Sequence, residues 1–105
     1  MYLSSSDKLI YNDLELYPHH QTCNLANRQI KLTHTELSIL TILMENKGCI
    51  ISIQRLAACV WPDEAFVDCK DVIAVHVHHL RKKMNDTQKP YSYIRTVWGK
   101  GYIIG

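Results

Sequence analysis

Asp71-Val72-Ile73-Ala74-Val75-His76-Val77-His78-His79-Leu80-Arg81-Lys82-Lys83-Met84 is the stretch whose conformation decides the fold. Its middle, Val75-His76-Val77-His78, alternates apolar with polar residues and is rich in β-branched side chains, which taken alone is a strand signature. The longer window points the other way. Ile73, Val77, Leu80 and Met84 fall within a narrow arc at about 100° per residue, the repeat of a helix with one buried stripe. Asp68 or Asp71 can cap its start, and Arg81-Lys82-Lys83 suit the negative end of a helix dipole. The spacing predicts a helix over residues 69–84 with that stripe inward.

Turning the stripe inward sends Asp71, Val75, His78, His79 and Lys82 outward and leaves Val72, Ala74 and Arg81 on the shoulders. Small apolar groups then occupy the N-terminal half of the face and cations the C-terminal half, an arrangement able to approach the floor of a polyanion's groove. Exposed cations are common on any protein surface, so this face does not define a function by itself. The charge distribution adds to it. The 105-residue chain holds 12 Lys plus Arg against 10 Asp plus Glu, a net +2. Residues 1–69 carry five cations against eight anions, or −3, and residues 70–105 carry seven against two, or +5.

N-terminal to this helix lie two more. Thr33-His34-Thr35-Glu36 is a capping box, followed by Leu37, Ile39, Leu40, Leu43 and Met44 at helical spacing, with Asn46-Lys47-Gly48 as the terminating cation and glycine. Cys49-Ile50-Ile51 reads as a short strand. Ser52 can cap a second helix bearing Ile53, Leu56 and Val60, which Pro62 stops. Trp61 to Asp68 is a loop that carries the acids Asp63 and Glu64 and the aromatic Phe66. Before Thr33, short alternating runs at Leu9–Tyr11, Leu14–Tyr17, Thr22–Leu25 and Arg28–Leu32, separated by turn residues, predict a small antiparallel meander.

Beyond Asn85-Asp86 and Lys89-Pro90, the apolar segments Tyr93–Val97 and Tyr102–Ile104 flank Trp98-Gly99-Lys100-Gly101, which predicts a closing hairpin. The order helix, short strand, helix, loop, helix, hairpin is that of a winged helix-turn-helix, in which the last helix enters the major groove and the wing meets adjacent backbone or minor groove. The expected class is α+β, with residues 1–105 as one domain.

Other classes lose ground. The longest apolar runs fall far short of the roughly 20 residues of a membrane span, and no secretory signal is visible, so a cytoplasmic protein with no membrane partner is expected. Cys23, Cys49, Cys59 and Cys69 show no paired spacing and are read as reduced, partly buried thiols. Cys69, His76 and His79 have a ligand-like spacing but lack the clustered pairs of a zinc site, so no metal or cofactor is expected. Gly-rich phosphate loops and nucleophile elbows are absent, which argues against an enzyme. The competing reading is a winged-helix protein-interaction module, whose binding would not weaken steeply with salt as DNA binding does.

The sequence resembles the effector domain of OmpR/PhoB-type response regulators of two-component systems over nearly its whole length. The resemblance is carried by Leu32-Thr33-His34-Thr35-Glu36-Leu37-Ser38-Ile39-Leu40, Asn46-Lys47-Gly48, Leu56 through Trp61, Val75 through Met84, and Ile94-Arg95-Thr96-Val97-Trp98-Gly99-Lys100-Gly101-Tyr102. It implies an N-terminal four-stranded antiparallel sheet, three helices and a C-terminal hairpin wing, and it implies transcription regulation through sequence-specific binding of double-stranded DNA. Lys70, His76, His78, Arg81, Thr96 and Tyr102 would hold phosphates, with Trp61 packed nearby on the backbone. Val72, Val75 and His79 would face base edges. Trp98, Gly99, Lys100 and Gly101 would form the wing.

Asp63, Glu64 and Phe66 correspond to the family's loop that touches RNA polymerase. A phosphorylatable receiver domain would precede this one in a full-length regulator and promote head-to-tail pairing on direct repeats; a stand-alone or membrane-tethered regulator is the other arrangement. The chain departs from many relatives at Ala74, His78, His79 and Trp98, so no target sequence carries over. Because histidine titrates near neutrality, His78 and His79 make part of the positive charge conditional, and DNA affinity is expected to rise between about pH 7.5 and 6.

Overall fold

The computed structural model describes residues 8–62 and 70–105. Strands β1 (Leu9–Tyr11), β2 (Leu14–Tyr17), β3 (Thr22–Leu25) and β4 (Arg28–Ile30) form a four-stranded antiparallel meander in chain order. Alternation sets its register: Leu16 faces Cys23, and Cys23 faces Ile30, so Leu14, Leu16, Cys23, Leu25 and Ile30 all line the inner side. Ala26 and Asn27 both take positive φ between β3 and β4, the geometry of a two-residue turn that matches strand twist. The fourth strand stops at Ile30, two residues before the predicted end.

Helix α1 (His34–Glu45) begins at the predicted capping box. Thr33 Oγ1 accepts from the Glu36 N–H at 3.2 Å, and Glu36 Oε1 accepts from the Thr33 N–H at 3.0 Å. Its C-terminus differs from expectation. Asn46 caps it, and Lys47 leaves the helix end altogether to donate to the Ile10 carbonyl of β1 at 2.6 Å.

The short strand also shifts. β5 is Ile51–Ser52 rather than Cys49 to Ile51, and Cys49 and Ile50 are exposed. The cause is local hydrogen bonding: the Cys49 N–H donates back to Asn46 at 2.9 Å, so the chain is still turning out of α1 there. Ser52 ends β5 and caps α2 (Ile53–Val60), its hydroxyl accepting from the Arg55 N–H.

Helix α3 (Lys70–Lys83) settles the ambiguous stretch. Ile73, Val77, Leu80 and Met84 are all buried and join β2, β3, α1 and the C-terminal strands in one apolar cluster. Strands β6 (Ile94–Val97) and β7 (Gly101–Ile104) form the hairpin, and β7 pairs with β5 on its other side, giving a three-stranded sheet in the order β5-β7-β6. Gly101 is therefore the first residue of β7, not the last of the turn. A Cβ there would lie 2.0 Å from the Ile51 carbonyl oxygen, so only glycine lets β5 and β7 meet.

The cysteines depart from the expectation in part. Cys23 is buried, and burial pushes its thiol pKa up to about 11, but Cys49 and Cys59 are exposed; all three are free thiols. Among the described residues no helix is long and apolar enough to cross a membrane, and no group of three or more potential metal ligands comes together. Cys69 lies outside the described residues.

Candidate nucleic-acid interface

The outward side of α3 is free of the rest of the domain. Val72 and Val75 are 46% and 50% exposed, unusual for valine in a helix whose opposite stripe is sealed, and Ala74, His78, His79 and Lys82 are exposed with them. Val72, Val75, His79 and Lys82 follow one another at three- and four-residue steps, which stacks them into a ridge about 15 Å long. The His78 and His79 rings lie 6.0 Å apart. Half-buried Trp61, at the end of α2, approaches half-buried His76 with ring centroids 6.1 Å apart. The structure thus joins two residues 15 positions apart that the resemblance had assigned to the same backbone contact.

The three cations at the end of α3 take three different directions. Lys82 stays on the exposed face. Lys83 turns toward α1, where its ammonium pairs with Glu36 at 2.6 Å. Burial opposes ionisation of that carboxyl, but Lys83 and the Thr33 N–H and hydroxyl together outweigh it and hold the Glu36 pKa below the ordinary carboxylate range.

Arg81 turns toward the wing. Its Nε and Nη2 donate to the Ile94 carbonyl at 3.1 and 2.8 Å, and Nη2 also donates to Thr96 Oγ1 at 2.9 Å. The Tyr91 ring lies 3.7 Å from the guanidinium carbon and that of Tyr102 5.8 Å. Burial lowers the pKa of the guanidinium, with Tyr91, Tyr102 and Asp86 opposing, and the group remains a cation at any physiological pH. Tyr102 sits opposite Thr96 across the hairpin and is only 7% exposed, which raises its phenol pKa despite Arg81.

Asp86 was not singled out by the sequence beyond marking the end of a helix. Its carboxylate is buried and accepts from three consecutive backbone N–H groups, Ser92 at 2.6 Å, Tyr93 at 2.9 Å and Ile94 at 3.2 Å. The only signal available was its place after Asn85, whose positive φ ends α3. Tyr91 was missed as well, since an aromatic beside a proline has many uses.

At the wing tip, Lys100 N–H donates to the Val97 carbonyl at 2.9 Å, and Gly99 holds φ +77° in the turn position that favours glycine. Trp98 is 80% exposed, with the Lys89 ammonium 5.7 Å from its ring centre. Between this tip and α3 opens a cleft of about 520 Å³, bordered by Gln54, Asp71, Ala74, Arg81, Trp98 and Tyr102. Lys70 opens α3; Asp63, Glu64 and Phe66 lie outside the described residues.

A three-helix unit with an exposed third helix and a β-hairpin beside it defines a winged-helix domain. Residues 27–104 match the family described as "Transcriptional regulatory protein, C terminal", and the chain belongs to that family, as a winged-helix effector domain of the OmpR/PhoB type. Over 96 residues it is 45% identical to the regulatory protein VanR of Enterococcus faecium, a match covering 91% of this chain and 42% of that protein. Among solved structures, the DNA-binding domain of CpxR from E. coli is similar at a TM-score of 0.80 and 26% identity, covering 92% of this chain and 94% of that one. DrrB, an OmpR/PhoB homologue of Thermotoga maritima, is similar at a TM-score of 0.81 and 28% identity, covering 93% of this chain and 44% of that one. The chain spans 34 to 42% of the length of the first curated relatives it matches.

Proposed function

We propose that residues 1–105 act as one unit that binds double-stranded DNA sequence-specifically to regulate transcription, by binding alone and without chemical turnover. The observation that carries this reading is the ridge of Val72, Val75, His79 and Lys82, exposed along a helix whose other side is fully sealed. In the major groove, the two valines suit thymine methyl groups and the His79 imidazole can donate to a purine acceptor. Trp61, Lys70, His76, His78 and Thr96 would serve the phosphates, with Arg81 and Tyr102 behind them. Trp98, Gly99 and Lys100 reach the neighbouring backbone or minor groove, Gly101 anchoring the wing.

One module of this size buries about 1,000 Å² or less, so useful affinity requires a second copy on a direct repeat. A phosphorylated receiver domain would promote that pairing, and Asp63, Glu64 and Phe66 would meet RNA polymerase, all in the cytoplasm. The test is selection of duplexes from a random pool at two salt concentrations. Val75→Ala or His79→Ala changes the selected motif, whereas Lys70→Ala weakens all duplexes alike. The reverse pattern refutes the placement of α3, and failure to select any duplex at the lower salt refutes DNA binding itself.

A further inference from the structure

We propose that Arg81 is a positioning residue that sets where the wing stands relative to α3. The proposal rests on the DNA-binding reading above and deepens it. A guanidinium has five N–H donors in a rigid plane. Three of Arg81's are committed to one strand, two to the Ile94 carbonyl and one to Thr96 Oγ1, and Tyr91 lies over the group at 3.7 Å. Swinging out to a phosphate would abandon the carbonyl of Ile94, a fully buried residue, and such a desertion is costly.

Ile94 is gripped from both sides. Arg81 holds its carbonyl, Asp86 Oδ2 accepts from its N–H at 3.2 Å, and the Asp86 N–H donates to the Arg81 carbonyl at 2.7 Å. The end of α3 and the root of β6 therefore form one closed hydrogen-bonded ring. Trp98 stands four residues beyond Ile94, roughly 13 Å along the strand. A tilt of about 10° at the root then moves the wing tip by roughly 2 Å, enough to break a hydrogen bond to DNA. Lysine keeps the charge but cannot reproduce the fork.

The test compares the chain with Arg81→Lys, Arg81→Gln and Thr96→Val on duplexes selected by the unsubstituted protein. Arg81→Lys is expected to bind about ten-fold more weakly and to lose hydroxyl-radical protection under the wing while keeping guanine protection under α3. Arg81→Gln should show the same split, and Thr96→Val a milder version of it. Arg81→Lys binding within two-fold of the unsubstituted chain overturns the proposal. So does an Arg81→Gln slope reduced by about 0.9, the signature of one lost phosphate contact, with the wing footprint intact.

Amide exchange at Ile94–Val97 in the free chain is a DNA-independent reading. Faster exchange in Arg81→Lys supports the brace even if no duplex is selected, in which case the DNA-binding function falls and not the brace. Unchanged exchange refutes the brace whatever the DNA result.

Discussion

Gly101→Ala isolates the junction on which the wing is mounted. The new methyl would sit 2.0 Å from the Ile51 oxygen, 2.8 Å from the Ile51 carbonyl carbon and 2.9 Å from the Ser52 Cα, all backbone atoms with no rotamer to yield. A relaxed carbon–oxygen contact needs about 3.3 Å, so β5 and β7 must part by more than about 1 Å. Their pairing comprises only Ile51 with Tyr102 and Ser52 with Gly101, so that displacement breaks it throughout. Losing two backbone hydrogen bonds costs about 1 kcal/mol each, and loosened packing around fully buried Ile51 and Ile104 adds at least another.

The total for Gly101→Ala, about 3 kcal/mol, lowers the melting temperature of a domain this size by roughly 12–20 °C. Gly99→Ala is the internal comparison. Its Cβ meets nothing within 4 Å, and only the φ of +77° is strained, costing about 1 kcal/mol. Urea and thermal melts of both variants rank them. A Gly101→Ala protein as stable as Gly99→Ala would mean that β5 and β7 do not approach as closely as this.

Two further outcomes are expected. The Glu36 carboxyl titrates lower folded than unfolded, so its contribution is present above the unfolded value of about 4.5 and is lost as pH falls through the folded one. Glu36→Gln should therefore cost about 1–2 kcal/mol at pH 7, after allowing for the one-third exposure of Lys83, and flatten the acid side of a stability–pH profile; an unchanged profile contradicts the Lys83 pairing. Val75→Ala and His79→Gln, on the free face, should leave the unfolding free energy from urea melts within about 0.5 kcal/mol of the parent while altering the selected motif, and a loss above about 2 kcal/mol at either would place that residue in the core.

Elements whose residues answer to one local rule were legible in the sequence. The capping box at Thr33, the N-cap at Ser52, the alternation of Leu14 with Leu16 and the stripe from Ile73 to Met84 all appear where their spacing requires. Readings failed where a distant partner decided the outcome. Nothing near Gly101 in sequence reveals that Ile51 will press on it, so it reads as turn and is strand. Lys47 next to a helix end looks like a cap, but an acceptor 37 residues away at Ile10 claims it. Arg81, Lys82 and Lys83 look like one basic run because sequence does not show that Ile94 and Glu36 take the outer two.

That division of the basic run bears on why α3 presents the face it does. Burial of Ile73, Val77, Leu80 and Met84 fixes the rotation at roughly 1.5–3 kcal/mol per side chain, but a stripe alone tolerates a small roll about the helix axis. Two directional bonds on either flank remove that freedom: Lys83 to Glu36 on α1 and Arg81 to Ile94 on β6. A roll that brings either pair closer pulls the other apart, and each leaves behind a buried acceptor, which costs more than the roll could gain. Val72, Val75, His79 and Lys82 are what remains, a ridge held in orientation by bonds in which none of its own members takes part. Its residues are accordingly free to vary with the operator without disturbing the scaffold, whereas Arg81, Lys83, Glu36 and Asp86 are tied to one another whatever sequence is read.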